Sequence, residues 1–102
     1  MQVYMQERGD ALYIRPSGEL DEHTSASARR YVDEGVRKYA RVKKVVFDLS
    51  EVSFMDSTGI GFLIGRYKKF SRYGVPVYVT NPSQATDRIL QMSGVYTLMP
   101  RI

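Results

Sequence analysis

The order of strand-like and helix-like segments predicts an α/β fold with a mixed, mostly parallel sheet, and three observations carry the prediction. Apolar residues recur at helical spacing in three separate segments, and each is followed by a short apolar run of strand character. One of those runs, Val45-Val46-Phe47, shows no alternation, as expected of a strand covered on both faces. Strands joined through helices imply parallel neighbours and right-handed crossovers. The expected architecture is a single domain over residues 1–102, with an N-terminal hairpin and about three helices, either on both faces of the sheet or stacked on one.

Residues 4–14 read as the hairpin, because Val3, Met5, Leu12 and Ile14 recur at strand spacing around a Gly9-Asp10 turn signal. Pro16 and Gly18 are expected to close it. Asp21-Glu22-His23-Thr24 offers several N-cap types, and Ala28, Tyr31, Val32, Val36 and Tyr39 then mark the apolar face of a helix running to about Ala40. Its wet side carries Arg29, Arg30, Asp33, Glu34, Arg37 and Lys38. The central strand at Val45-Val46-Phe47 follows. From residue 57 to about 73, Ile60, Leu63, Ile64 and Tyr67 obey the i, i+3, i+4, i+7 rule, and Gly74 stands where a C-terminal cap belongs. Residues 75–79 form the next strand. Asn81-Pro82 reads as a helix start, with Ala85, Ile89 and Met92 on one face and Gly94 as terminator, before a last strand over residues 95–99.

The 102 residues, 43% hydrophobic and 25% charged, suit one globular core with little room for a deep catalytic cavity. The absence of cysteine excludes disulfides, thiolate metal sites and thiol nucleophiles, and one histidine cannot build a multi-histidine metal centre. No metal and no cofactor are expected. Residues 1–11 lack the apolar core of a signal peptide and no stretch approaches membrane-spanning length, so the expected location is the cytoplasm, with no membrane partner. The net charge of +4 raises the question of nucleic acid. The densest basic run, Arg37, Lys38, Arg41, Lys43 and Lys44, straddles the end of one element and the start of the next, which favours a solvated helix end over a phosphate-binding patch.

One segment departs from plain α/β packing. Residues 47–61 leave a buried strand, cross a short loop and enter a helix, where α/β sheets place their ligand sites. Asp56, Ser57 and Thr58 are all good N-cap types, so the triplet is either a cap alone or a functional corner. Gly59, Gly61 and Gly65 weigh against a cap alone, since each costs about 1 kcal/mol relative to alanine in a helix. Gly61 and Gly65 stand four apart, which would let a partner backbone approach, and Gly59 is expected to leave the corner open. The glycine spacing misses the dinucleotide fingerprint by one residue, and no phosphate-binding loop sequence is present. A Ser-His-Asp hydrolase would need His23 to reach Ser57, but the nucleophile-elbow sequence is missing. A phosphoaspartate receiver centred on Asp48 lacks the expected acidic pair after the first strand.

Several blocks occur in a recognisable order: Gly18-Glu19-Leu20-Asp21-x-x-Thr24, then Val46-Phe47-Asp48-Leu49-Ser50-x-Val52-Ser53-Phe54-Met55-Asp56-Ser57-Thr58-Gly59-Ile60-Gly61, then Gly65-Arg66-Tyr67 and Met92-Ser93-Gly94-Val95. Together they resemble the STAS domain of anti-sigma factor antagonists, above all the sporulation type, over nearly the whole chain. The resemblance implies a single STAS domain that is a binding module and kinase substrate, not an enzyme. Its partners would be an anti-sigma factor with serine kinase activity and a phosphoserine phosphatase. It places the phosphorylated serine at Ser57, with Thr58 as the nearest rival acceptor and Asp21 and Asp56 as acidic neighbours. The expected partner-binding set is Asp21, His23, Thr24, Asp56, Ser57, Thr58, Gly59, Ile60 and Phe62; Phe62 stands beside Arg66 and Lys69, as a partner contact or as cover for the core edge. Relatives commonly carry a further C-terminal helix, whereas this sequence stops at Ile102, just after its last expected strand. The alternatives are a STAS scaffold of a larger signalling assembly, a relative of transporter STAS domains, and a nucleotide-binding regulatory domain.

Overall fold

The computed structural model describes residues 1–39 and 41–102. Its elements, in chain order, are β1 (Gln2–Arg8), β2 (Ala11–Leu20), α1 (Ser25–Gly35), β3 (Lys44–Asp48), β4 (Val52–Met55), α2 (Ser57–Ser71), β5 (Val77–Thr80) and α3 (Gln84–Ser93). Short 3₁₀ turns at Val36–Lys38 and Val95–Thr97 follow α1 and α3. Ala40, the expected end of the first helix, lies outside the described residues.

The β1–β2 hairpin turns at Gly9, whose φ of +61° suits glycine. Strand β2 does not end at Pro16 and Gly18, as the sequence suggests, but runs on to Leu20. The reason is a change of neighbour. Residues Ala11 to Ile14 pair in parallel with β3, whereas Gly18 to Leu20 pair in parallel with β4. Pro16 occupies the gap between these two ladders, where a missing N–H on that side is harmless. The register slips between Gly18 and Glu19, and Gly18 takes a φ of +114° there. β4 itself lies inside the stretch expected to be loop. The sheet thus runs β1-β2-β3-β5, with β4 joined to the far end of β2.

Val45 and Phe47 of β3, Leu12 and Ile14 of β2 and Val77 and Val79 of β5 belong to one core cluster with Ala28 and Val32 of α1, Phe62 and Leu63 of α2 and Leu90 of α3. All three helices therefore pack on one face of the sheet. On the other face Val46 is buried between Tyr13 and Tyr78, its ladder neighbours. Arg8 stacks on Tyr13, and Arg15 on Tyr4. Cation and ring coverage explains why Val45-Val46-Phe47 carries no polar residue although only one face bears helices.

Four local expectations shift. α1 exposes Tyr31, and its Asp33 side chain is only 21% exposed because it faces α2. α3 is capped by Ser83, whose hydroxyl accepts from the Thr86 amide at 3.1 Å. Asn81, at φ +55°, forms the turn before it. That start turns the helix so that Thr86 and Leu90 point inward, leaving Ala85 exposed and Met92 81% exposed. Finally, residues 95–99 are not a strand. Gly94 ends α3 at φ +78°, and the Val95 carbonyl accepts from both Leu98 and Met99 amides, which winds the chain tightly. Strand contact resumes only as a single bridge between Arg101 and Val79.

Candidate functional site

Two chain corners meet beyond the C-terminal ends of β2 and β4, where parallel pairing sets Leu20 beside Met55. One corner is the turn from β2 into α1. There the Asp21 carboxylate accepts from the amides of His23 at 2.9 Å and Thr24 at 3.2 Å, and the Thr24 hydroxyl donates to the Glu19 carbonyl at 2.8 Å. These bonds occupy the polar groups of Asp21 and Thr24 in shaping the turn. His23 projects into solvent beside Glu22.

The second corner is the start of α2. Asp56 is its N-cap, with one carboxylate oxygen accepting from the Thr58 amide at 2.9 Å, the Gly59 amide at 3.3 Å and the Thr58 hydroxyl at 2.6 Å. The Thr58 hydroxyl, together with these amides, holds the Asp56 carboxyl below the usual carboxylate range, against a smaller opposing effect of desolvation. Ser57 follows as the first helical residue and is exposed. Among the described residues its hydroxyl has no hydrogen-bond partner, and neither has its amide. The corners are joined where Ser25 approaches Thr58 hydroxyl to hydroxyl at 3.3 Å, across 33 positions of sequence, and where the Asp56 amide donates to the Leu20 carbonyl.

The nine residues expected to form a partner surface divide accordingly. Asp21, His23, Thr24, Asp56, Ser57 and Thr58 share this end of the molecule and reach solvent at least in part. Ile60 is half-buried against the core. Two leave the surface altogether. Phe62 is 4% exposed and packs edge-on against Phe47 with ring centroids 6.0 Å apart, because α1 covers that side of α2. The buried stripe of α2 is Gly59, Phe62, Leu63 and Arg66, rotated from the stripe expected from its sequence. Gly59 does not open the corner but closes it: a Cβ there would stand 2.7 Å from the Leu20 carbonyl oxygen and 2.6 Å from Met55 Cγ. Phe54, two residues before the cap, is 50% exposed and was not singled out from sequence. Strand alternation gives no signal for it, since Phe54 shares the parity of buried Val52; the exposed pair Ser53-Phe54 between two buried residues is a tertiary outcome. Among the described residues no group of three or more His, Cys, Asp or Glu could hold a metal ion, and no helix is long and apolar enough to cross a membrane.

A mixed sheet with every helix on one face, and a hydroxyl left unbonded where its second helix begins, defines a small α/β domain that offers a surface rather than a cleft. The profile of the STAS domain matches residues 2–102, and the chain belongs to that family. It is 36% identical over 98% of its length to an anti-sigma F factor antagonist of Paenibacillus polymyxa, covering 85% of that protein. Its fold is that of the anti-sigma factor antagonist SpoIIAA. The unphosphorylated form superposes with a TM-score of 0.79 at 24% identity, over 99% of this chain and 88% of that one. The phosphorylated form of the Bacillus cell fate determinant SpoIIAA superposes with a TM-score of 0.71, also at 24% identity, over 99% and 91%.

Proposed function

We propose that this protein is an anti-sigma factor antagonist, whose unphosphorylated form binds an anti-sigma factor with serine kinase activity and so releases a sigma factor. Phosphorylation of Ser57 ends that binding, and a phosphoserine phosphatase restores it. The observation that carries this reading is the state of Ser57: exposed, without a hydrogen bond, and at the point where two chain corners converge. Its similarity to the Paenibacillus polymyxa antagonist supports the same assignment.

In the modification the Ser57 oxygen attacks the γ-phosphorus of ATP, the bond to ADP breaks, and the hydroxyl proton leaves to solvent. A phosphate adds about −1.5 to −2 charges. A helix N-terminus ordinarily receives an anion on its free amides. Here Asp56 already occupies those of Thr58 and Gly59, so the phosphate finds only the Ser57 amide and otherwise projects outward beside a second anion. Because Ser57 packs against nothing in the core, the scaffold survives while the docking surface becomes more negative and bulkier. An uncompensated charge in an interface costs several kcal/mol, and each 1.4 kcal/mol is tenfold in affinity. Phe54 supplies the apolar anchor that such an interface needs near its centre.

Titration calorimetry with the anti-sigma factor of the same source is the test. Ser57→Asp should bind at least about 100-fold more weakly with an unchanged far-ultraviolet circular dichroism spectrum. Ser57→Ala should bind normally and take up no phosphate from the kinase and ATP by mass spectrometry. A melted Ser57→Asp spectrum, or phosphate found on Thr58 instead, would overturn the local mechanism.

A further inference from the structure

Between α1 and α2 runs an open groove of about 390 Å³, lined among others by Ser25, Arg29, Thr58, Gly61, Gly65 and Arg66. Two features of it are only partly accounted for by contacts within the chain. Gly61 and Gly65 lie inside a helix, yet a Cβ at either would meet no atom within 4 Å, in contrast to the crowded Gly59. The fold would accept alanine at both and gain helical stability from it.

The second feature is Arg66, only 4% exposed. Its Nε lies 3.0 Å from Asp33 Oδ1, an ion pair out of line for a hydrogen bond, and among the described residues Nε and Nη1 have no acceptor. Asp33 is meanwhile bonded to Lys69 through its other oxygen at 2.9 Å. Asp33 balances its charge and the guanidinium lies 5.6 Å over the Phe62 ring, but N–H groups left without a hydrogen bond in a buried position remain costly until an acceptor arrives. Burial pushes the Arg66 guanidinium below its ordinary pKa, Asp33 opposes this and Arg29 adds to it, so the two arginines feel each other across the groove. The acid lining the groove is Glu22, at its solvent end.

We propose that this groove is a docking subsite that receives an acidic side chain of the partner protein, with Arg29 and Arg66 binding the carboxylate and Gly61 and Gly65 leaving room for the segment that carries it. The inference rests on the function proposed above in taking the partner to be the anti-sigma factor. A protein-borne carboxylate is favoured over a free anion by the openness of the groove. Charges exposed to solvent hold a lone ion weakly, whereas a side chain on a docked partner is already localised. The groove is also continuous with the Ser57 corner, because Thr58 lines it and meets Ser25.

Calorimetric titration of the anti-sigma factor into wild type, Gly65→Ala, Arg29→Gln and Ser57→Asp separates the possibilities. Gly65→Ala should raise Tm by about 4–8 °C yet bind at least about threefold more weakly, a combination that a structural role for the glycine does not produce. Arg29→Gln should weaken binding by about three- to tenfold and flatten its salt dependence. In a second arm, acetate titrated into the isotope-labelled protein at constant ionic strength should shift the Gly61 and Gly65 amides and the Arg66 Nε–H, with chloride as control. If Ser57→Asp abolishes binding while Gly65→Ala and Arg29→Gln bind as wild type, the groove proposal fails and the Ser57 switch stands. If acetate shifts these groups but wild type binds no anti-sigma factor, the failure lies with the proposed function. Because a lone ion is held weakly, the titration is carried to molar acetate; if acetate then moves nothing beyond the chloride control, the anion subsite is refuted whatever the partner does.

Discussion

Gly59, Gly61 and Gly65 lie within two turns of one helix, but their physical situations differ. At position 59 the obstacle is a backbone oxygen 2.7 Å from the missing Cβ, which cannot swing aside as a side chain would. Gly59→Ala should therefore destabilise the protein by about 1–3 kcal/mol in denaturant titration, overriding the gain in helix propensity. Asp56 yields a second prediction at this scale. Its carboxyl is held below the ordinary value, so its share of stability is present above the unfolded aspartate pKa of about 3.9 and is lost as pH falls through the lower folded value. Carbon-detected titration of that carboxyl should give a midpoint below 3.9, and phosphorylation of Ser57 should move it upward by placing an anion alongside. The sequence alone marked Asp56, Ser57 and Thr58 as a corner, since all three are cap types, but left open which one caps. Hydrogen-bond geometry assigns the cap to Asp56 and leaves Ser57 available.

At the scale of the element, the two phenylalanines around the site exchange the roles that their surroundings in sequence suggest. Phe62 follows a glycine in a helix bearing arginine and lysine, yet α1 encloses it; Phe54 sits in a hydrophobic run, yet half of it faces solvent. Phe62→Ala should cost about 3–5 kcal/mol by denaturant unfolding. Phe54→Ala should cost under about 1 kcal/mol and weaken anti-sigma factor binding instead. A helix packed on two sides presents two apolar stripes, and periodicity alone cannot say which one meets the sheet and which the neighbouring helix. For α3 the ambiguity was the start. Ser83→Ala should lose about 1 kcal/mol, whereas Asn81→Gly should lose little, because the φ of +55° at position 81 suits glycine at least as well.

For the molecule as a whole, β3 is paired on both sides, by β2 and by β5, and its Val45, Val46 and Phe47 are wholly buried. Their amides should exchange with solvent only through global unfolding, and mass-spectrometric exchange should show the same protection in Ser57→Asp as in wild type. Loss of that protection would mean that the added charge reaches the core. A contrasting arrangement holds the last residues. The Tyr96 hydroxyl donates to Asp87 at 2.5 Å, and Arg101 lies 2.9 Å from the same carboxylate oxygen, pinning the segment that bridges to Val79. Burial and the nearby Asp87 push the Tyr96 phenol well above its ordinary pKa, so that tie persists through neutral and alkaline pH.

The amino-acid sequence by itself determined the α/β class, the hairpin, the central strand, the three helices and the corner at residues 56–58. Each of these is written in local terms: apolar spacing, cap residues, turn glycines. Tertiary structure alone decided that β2 changes partners at Pro16, that β4 is a strand, that residues 95–99 are not, and that Phe62 and Gly59 are buried. These outcomes depend on what packs against a segment from elsewhere in the chain, as Leu20 does on Gly59 and α1 on Phe62, and spacing along one segment carries no record of its distant neighbours.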